Sequence, residues 1–371
     1  MDYLLSHPEV SVLMPAYNRE HYIEASVKSV LSQTYKNFEL IILDDGSTDK
    51  TSEKLTAFND PRIKLLRNDQ NRGIAFSRNR LLHEAKGKFL ALLDSDDISL
   101  PGRLEVQLDF LKKNQELLMV GTPCVAIDQR GEKINSTWAF LQKRPTRPEE
   151  IRASLLFRNC FFQSSLMINV ELLNGRQYDL DYPPFEDYEL WTRLATTSQL
   201  ANLENAQIMY RFHPENVSHK TNESFKFDLN NKIIEKQFSH YFNCVPTKEE
   251  LFIHGVWQFY TYDVGYDFLK DSRNWLWKIK KLNRTDKIFD EALFNRVVKR
   301  NWFDRCYHHL NKGNPYTAFY FLFFNPRFSI KDIELFIYLF LKGAYTLFSG
   351  KSKLKVGKLN IRTSKSNAFN A

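Results

Sequence analysis

The chain has 371 residues, 43% of them hydrophobic, enough for two or three structural units around a sizeable core, which excludes a chain disordered throughout. The net charge of +8 is concentrated at one end: residues 301–371 hold eleven Lys/Arg against three acids, and the first 300 residues are neutral. A uniformly basic nucleic-acid-binding surface is thereby excluded, and no nucleic-acid partner is expected. Cys124, Cys160, Cys244 and Cys306 form no CxxC pair and no dense disulfide framework, as in a reducing compartment, and the first residues lack the basic and apolar stretches of a signal peptide.

The first 130 residues alternate short β-rich runs with helical patterns. Val10–Met14 reads as a strand, and residues 21–33 place apolar side chains at 23, 27, 30 and 31, near helical spacing. Phe38–Leu43 is nearly all apolar, as in a strand covered on both faces. Further strands are predicted at Arg62–Leu66, Lys88–Leu93 and Leu117–Ile127. The helical patterns between them run over 49–58, 72–85 and 101–113, with Pro101 suited to a first helical position. This rhythm predicts an α/β fold, an open and mainly parallel sheet with helices on both faces.

From about 129 the rhythm breaks. Residues 129–148 read as a long polar connection, followed by a helix at Glu149–Phe157, a strand at Ser164–Asn169, a helix at Glu186–Ala195 and a strand at Ala206–Phe212. From 221 onward the pattern is helical and rich in aromatic residues.

In sheets of this kind ligands bind beyond the carboxyl ends of the strands. Three polar clusters fall there: Pro15-Ala16-Tyr17-Asn18-Arg19, Asp44-Asp45-Gly46-Ser47-Thr48-Asp49 and Asp94-Ser95-Asp96-Asp97. They are expected to converge on one rim. Three carboxylates at the mouth of a buried strand repel one another unless a hard divalent ion such as Mg²⁺ or Mn²⁺ shares them, and such ions commonly bridge to substrate phosphates. A polar turn capping the next helix would use the same residue types. The 44–49 cluster equally suits a turn with an N-cap or a carboxylate reading a base or ribose. Neither a GxGxxG loop nor a GxxxxGK[ST] loop occurs. Arg72, Arg78 and Arg80, on the following helical segment, have the chemistry to hold a diphosphate or to sit solvated.

Taken in order, these segments resemble glycosyltransferase family 2. Val12-Leu13-Met14-Pro15-Ala16-Tyr17-Asn18 resembles the opening strand of that family, and Ser29-Val30-Leu31-Ser32-Gln33-Thr34-Tyr35 the end of its first helix. Asp44–Asp49 resembles the DDGSTD element, Asn71–Ala75 the NxGxxxARN region, and Asp94–Pro101 the DADDxxxP metal motif. Glu186-Asp187-Tyr188-Glu189-Leu190-Trp191 matches the ED-Y-x-L-W element and Tyr210-Arg211-Phe212-His213 the closing YRxH. One departure stands out. The usual ARNxG reads Ser77-Arg78-Asn79-Arg80-Leu81, which touches the backbone beside the donor and leaves every carboxylate in place.

The resemblance covers roughly residues 9–220 and implies a Rossmann-like nucleotide-diphospho-sugar transferase fold of the GT-A type. It also implies a divalent metal, Mn²⁺ or Mg²⁺, and inverting transfer of a sugar from a nucleotide-diphosphate donor, UDP-linked by preference, to a saccharide or lipid-linked acceptor. By position, Tyr17 and Asp45 would border the base, Arg72 or Arg78 the nucleotide and Asp94 the ribose or sugar, with Pro15, Asn18 and Ser95 also at the donor. Asp96, with His213 as a further ligand, would hold the cation, and Asp187 would be the catalytic base; a structural role near the strand end is the alternative for His213. An acidic first helical turn is the structural alternative for Glu186-Asp187.

The expected domains are a catalytic domain over 1–220, divided into a nucleotide-sugar half (9–128) and an acceptor half with the base (129–220), and a helical, basic extension over 221–371. The aromatic segments 315–324 and 333–348 are too short or too interrupted to span a membrane. With Lys351, Lys353, Lys355 and Lys358 behind them they suit the membrane interface, so 315–371 is expected to give peripheral contact at the cytoplasmic face of the inner membrane. Packing into a helical core or a dimer interface is the alternative for the same segments. The whole reads as a glycosyltransferase of surface polysaccharide, lipopolysaccharide or other glycoconjugate synthesis. A non-catalytic sugar-nucleotide or glycan-binding module is the rival, and a sugar-phosphate nucleotidylyltransferase a weaker one.

Overall fold

The computed structural model of the chain describes residues 7–134, 144–215, 223–258, 266–311 and Leu341. The aromatic segments and the basic tail expected at the membrane lie outside the described residues, Leu341 excepted. The chain forms two compact units, Met1–Pro246 and Thr247–Ala371.

The first unit is built on a sheet whose strands run in the order β3-β2-β1-β4-β8-β6-β9 among the described residues. These are β1 (Val10–Ala16), β2 (Phe38–Asp44), β3 (Ile63–Arg67), β4 (Phe89–Leu92), β6 (Leu117–Gly121), β8 (Met167–Asn169) and β9 (Gln199–Asn202). β3, β2, β1 and β4 are mutually parallel, β6 and β9 are parallel, and β8 runs antiparallel to both β4 and β6. A second sheet, β5-β10-β7, joins Ile98–Ser99, Ile208–Arg211 and Cys124–Ile127.

Strand alternation sends side chains to two cores. Val10, Val12, Met14, Leu40, Ile42 and Ala91 point to one face, where they meet α1 (Ile23–Leu31), α2 (Thr51–Thr56) and α4 (Arg103–Lys113). Leu13, Ile41, Leu43, Leu90 and Leu92 point to the other, against α3 (Ile74–Glu84), α5 (Pro148–Ser154) and α7 (Glu186–Leu194). Each fully buried Leu, Ile or Val contributes about 1.5–3 kcal/mol. The near-continuous apolar run of β2 reflects this double burial.

Three predicted elements differ in detail. Leu117–Ile127 is two strands in different sheets, β6 and β7, because Thr122-Pro123 interrupts the run and Pro offers no N–H to a ladder. Pro101 precedes its helix, which starts at Arg103 after Gly102, and its carbonyl accepts from the Thr34 N–H instead. Within Ser164–Asn169 only Met167–Asn169 is strand, since Gln163–Ser165 forms a 3₁₀ turn. A short α6 (Val170–Leu173) follows, capped by the Asn169 side chain.

The change of pattern at 221 marks α8 (Glu223–Phe242), which belongs to the first unit: Leu229 and Ile233 join the same core as Trp191. The second unit contains α9 (Lys248–Gln258), α10 (Tyr266–Asp286) and α11 (Glu291–Asn311). The buried Trp275 Nε1–H donates to His254 Nδ1 at 2.9 Å, and Lys278 pairs with Glu250 at 2.7 Å, fixing α10 on α9. Ile279, Phe294, Val298 and Trp302 fill the core between the helices.

Candidate active site

The three polar clusters do converge. Asn18, with φ +50°, donates its N–H to Ser47 Oγ at 3.0 Å and accepts the Thr48 N–H on Oδ1 at 2.9 Å, which ties the end of β1 to the turn after β2. Arg19 Nε donates to Asp96 Oδ2 at 3.0 Å, tying β1 to the turn after β4. Tyr17 stands between them, 38% exposed, on the rim.

The Asp45 carboxylate is turned inward. It accepts from Asn68 Nδ2 at 2.6 Å and from the backbone N–H groups of Arg72 and Gly73 at 2.9 and 3.0 Å. Asp45 therefore holds the 68–73 loop against the strand ends. Gly46 makes the close approach achievable: its φ is +71°, and a Cβ there would lie 2.6 Å from the Gln70 carbonyl carbon.

The arginines part company. Arg72 is exposed and lies over the Phe76 ring at 4.3 Å, and Arg80 turns back to the Arg67 carbonyl and to Asn68. Of the three, Arg78 is the one paired with carboxylates, donating to Glu186 Oε1 and to Asp94 Oδ1, the latter at 3.1 Å. The departures from ARNxG are absorbed by packing. Ser77 is buried within reach of Asn68, and Leu81 is core. Leu81, Leu13, Pro15, Arg78, Asp94 and Tyr178 line a narrow cleft.

The turn after β4 is pinned from several sides. Ser95 is buried, and its carbonyl accepts from Ser26 Oγ. Asp96 Oδ2 meets His213 Nε2 as well as Arg19, each at 3.0 Å, and against the cost of burial these two contacts hold its carboxyl below its ordinary value. Asp97 Oδ1 accepts the Arg211 N–H, while its buried Oδ2 has no hydrogen-bond partner. Burial first, then the charges of Asp96 and Asp94, push the Asp97 carboxyl well up. Arg211 also donates Nε–H to the Asp96 carbonyl, so the YRxH segment clamps this turn from behind.

A carboxylate oxygen of Asp96 beside an imidazole nitrogen of His213 is a donor pair suited to Mn²⁺ and, more weakly, Mg²⁺, and such ions complete their shells with phosphates and water. Among the described residues no group of three or more His, Cys, Asp or Glu side chains is arranged to hold a metal. Asp96 and His213 are the two side chains of this turn whose donor chemistry suits such an ion.

Glu186 and Asp187 open α7 and differ sharply in setting. Glu186 is 3% exposed, paired with Arg78, and has one oxygen without a partner; burial pushes its carboxyl up to about 7 despite the arginine. Asp187 is half-buried, accepting from Asn159 Nδ2 at 3.1 Å and from the Tyr188 N–H at 2.6 Å. Burial raises its affinity for a proton, with Arg78 opposing. Arg78 therefore links the Asp94 side of the rim to the Glu186-Asp187 side. Arg19, Asn159 and Glu186 are not singled out as site residues by the sequence. Arg19 lies in the first polar cluster and Glu186 beside Asp187, whereas Asn159 lies in a segment without pattern.

The sequence profile of glycosyl transferase family 2 matches residues 11–170. An uncharacterized glycosyltransferase of Haemophilus influenzae is 32% identical over 249 residues, 64% of this chain and 76% of that protein. The Escherichia coli UDP-Glc:alpha-D-GlcNAc-diphosphoundecaprenol beta-1,3-glucosyltransferase WfgD is 36% identical over 212 residues, 56% of this chain and 79% of that one. The putative glycosyltransferase EpsE of Bacillus subtilis is 34% identical over 242 residues, 62% and 82% of the two chains. Among solved structures, Staphylococcus aureus TarS residues 1–349 with UDP-GlcNAc superposes with a TM-score of 0.53 at 17% identity, covering 85% of this chain and 89% of that one. That likeness establishes the fold, a GT-A type sheet with a helical C-terminal region. The chain is a glycosyltransferase, a member of glycosyl transferase family 2.

Proposed function

We propose that this glycosyltransferase moves a sugar from a UDP-linked donor to a hydroxyl of a saccharide or lipid-linked acceptor, inverting the anomeric carbon, in the assembly of a surface glycan. The observation that carries the reading is the pairing of Arg78 with Asp94 on the donor side and with Glu186 on the other, next to which stands Asp187, a half-buried carboxylate with raised proton affinity. The donor preference is supported by WfgD, named for UDP-Glc, and by TarS, solved with UDP-GlcNAc. The acceptor class is supported by the lipid diphosphate in the WfgD name.

In this reading Tyr17 offers its ring to the base, beside Pro15 and Asn18, and Asp45 acts by bracing the loop that presents Arg72 to the nucleotide. Asp94, with Ser95 shaping the turn, accepts from hydroxyls of the ribose or sugar. Asp96 and His213 would hold a divalent ion, which supplies charge neutralisation to the departing diphosphate. The acceptor oxygen bonds to the anomeric carbon as the carbon's bond to the diphosphate oxygen breaks. The hydroxyl proton passes to a carboxylate oxygen of Asp187, and both electrons of the broken bond leave with the diphosphate. Asn159 keeps Asp187 oriented. Glu186, tied to Arg78, positions the rim and takes no proton from the acceptor.

The test is incubation of the full chain with UDP-, GDP- and dTDP-sugars, Mn²⁺ and a short-chain GlcNAc-diphospholipid, with the product analysed by NMR. Release of UDP with a β-linked product from an α-linked donor is expected. An α-linked product, or donor binding with no turnover on any acceptor, would favour the binding-module alternative or a retaining reaction.

A further inference from the structure

We infer that one face of α10 is a docking surface for an anionic lipid bilayer. A helix turns 100° per residue, so Lys270, Trp277 and Arg284, spaced by seven, stand nearly above one another, within about 20°. Arg273 and Lys280 flank this row on one side and Lys281 on the other. The opposite face carries the buried side chains, Ser272, Trp275, Leu276, Ile279 and Asn283. The helix is thus used twice, with its apolar face in the core of its own unit.

The outward face has two properties that a merely solvated face does not need together. Its charge is sorted: among the described side chains no acid falls within the stripe, and Asp271 and Asp286 lie on other faces. From outside the helix, Glu291 pairs with Arg284 at 2.8 Å, at the end of the row. At the centre stands Trp277, 52% exposed, while Lys270 and Lys281 are exposed on either side of it. A large indole ringed by cations is poorly matched to water and well matched to the headgroup layer, where Trp settles and Lys/Arg meet anionic lipids. Nucleic acid would share the charge but has no use for a single central indole on a convex helix. Among the described residues no helix is long and apolar enough to cross a membrane, so contact of this kind would be peripheral.

The inference rests on the proposal that the acceptor is lipid-linked, and its test measures binding apart from turnover. The full chain is mixed with vesicles of phosphatidylglycerol and phosphatidylcholine, some carrying brominated acyl chains, and followed by flotation and Trp fluorescence, with UDP-sugar hydrolysis measured in parallel. Quenching by the brominated lipid is expected for the wild type and is expected to vanish in Trp277→Phe. Lys280→Glu/Lys281→Glu should bind about tenfold more weakly or worse at low salt, with hydrolysis unchanged. Wild-type vesicle binding without quenching of Trp277, or binding indifferent to the charge reversals, would overturn the inference. So would double-stranded DNA competing for the same face with the same losses in the variants. Intact quenching in a chain that turns over no donor would instead overturn the reaction proposed above.

Discussion

The most informative perturbation of the rim is Glu186→Gln, because it separates charge from shape. Glu186 is almost fully buried, and its carboxyl titrates at about 7 rather than its ordinary 4.5 because burial outweighs the attraction of Arg78. An acid whose folded value is raised binds its proton more tightly in the folded state. Its contribution to stability is complete below 4.5 and is lost as pH rises through 7. At ~1.4 kcal/mol for each tenfold step in proton affinity, the loss between those limits is on the order of 3 kcal/mol. Glutamine keeps the shape and does not titrate. Urea unfolding of the wild type and of Glu186→Gln at pH 5, 6, 7 and 8 should therefore give two curves that diverge, the variant gaining roughly 2 to 3 kcal/mol relative to the wild type from pH 5 to pH 8, since part of the loss is already complete at pH 5. Arg78 keeps Asp94 as a partner in the variant, so the comparison is not confounded by an orphaned cation. Parallel curves would refute the burial argument and with it the positioning role of Glu186.

Other outcomes follow from the same geometry. Gly46→Ala should destabilise the first unit by more than about 1 kcal/mol in a denaturant melt, since it sets a Cβ against Gln70 at positive φ; an unchanged midpoint would show that the 68–73 loop is free to shift. EDTA should abolish nucleotide release and Mn²⁺ restore it in the wild type, whereas Asp96→Ala should stay inactive at any Mn²⁺ concentration; indifference to both would remove the cation from the proposal. His213→Gln should weaken the response to Mn²⁺, read as a higher Mn²⁺ concentration for half-maximal release, and an unchanged value would leave Asp96 alone with that task.

How far the sequence discloses this molecule depends on the range of the interactions involved. β1, β2 and α3 are legible because their apolar spacing answers a local question, which residues face a core. The three polar clusters are legible because strands in a parallel sheet end on one side, so their tails must meet. The single long strand predicted over 117–127 fails at Thr122-Pro123, where a missing N–H ends one ladder and the chain crosses to another sheet. Arg78 is the sharper case. The sequence places it among three arginines on one segment, and nothing local distinguishes it from Arg72 and Arg80. Its partner Glu186 is 108 residues away, a contact that only the packing of α7 beneath the sheet creates. Asp45 shows the reverse: its type and place suggest a ligand-facing carboxylate, and the loop it anchors was hidden in the turn geometry that Gly46 permits.

The central claim is that Asp187 takes the acceptor proton and is not needed to bind the donor. The direct measurement is paired: donor affinity by calorimetry and transfer rate with acceptor, for wild type and Asp187→Asn, in the full chain with Mn²⁺. Asparagine keeps the shape and one oxygen for the Tyr188 N–H but gives up the bond from Asn159 Nδ2 and its basicity; neither contact is to the donor, so donor affinity should stay within about threefold and the transfer rate fall by about 10² to 10⁴. A transfer rate within a few fold of wild type, or a loss explained wholly by lost donor binding, would contradict it.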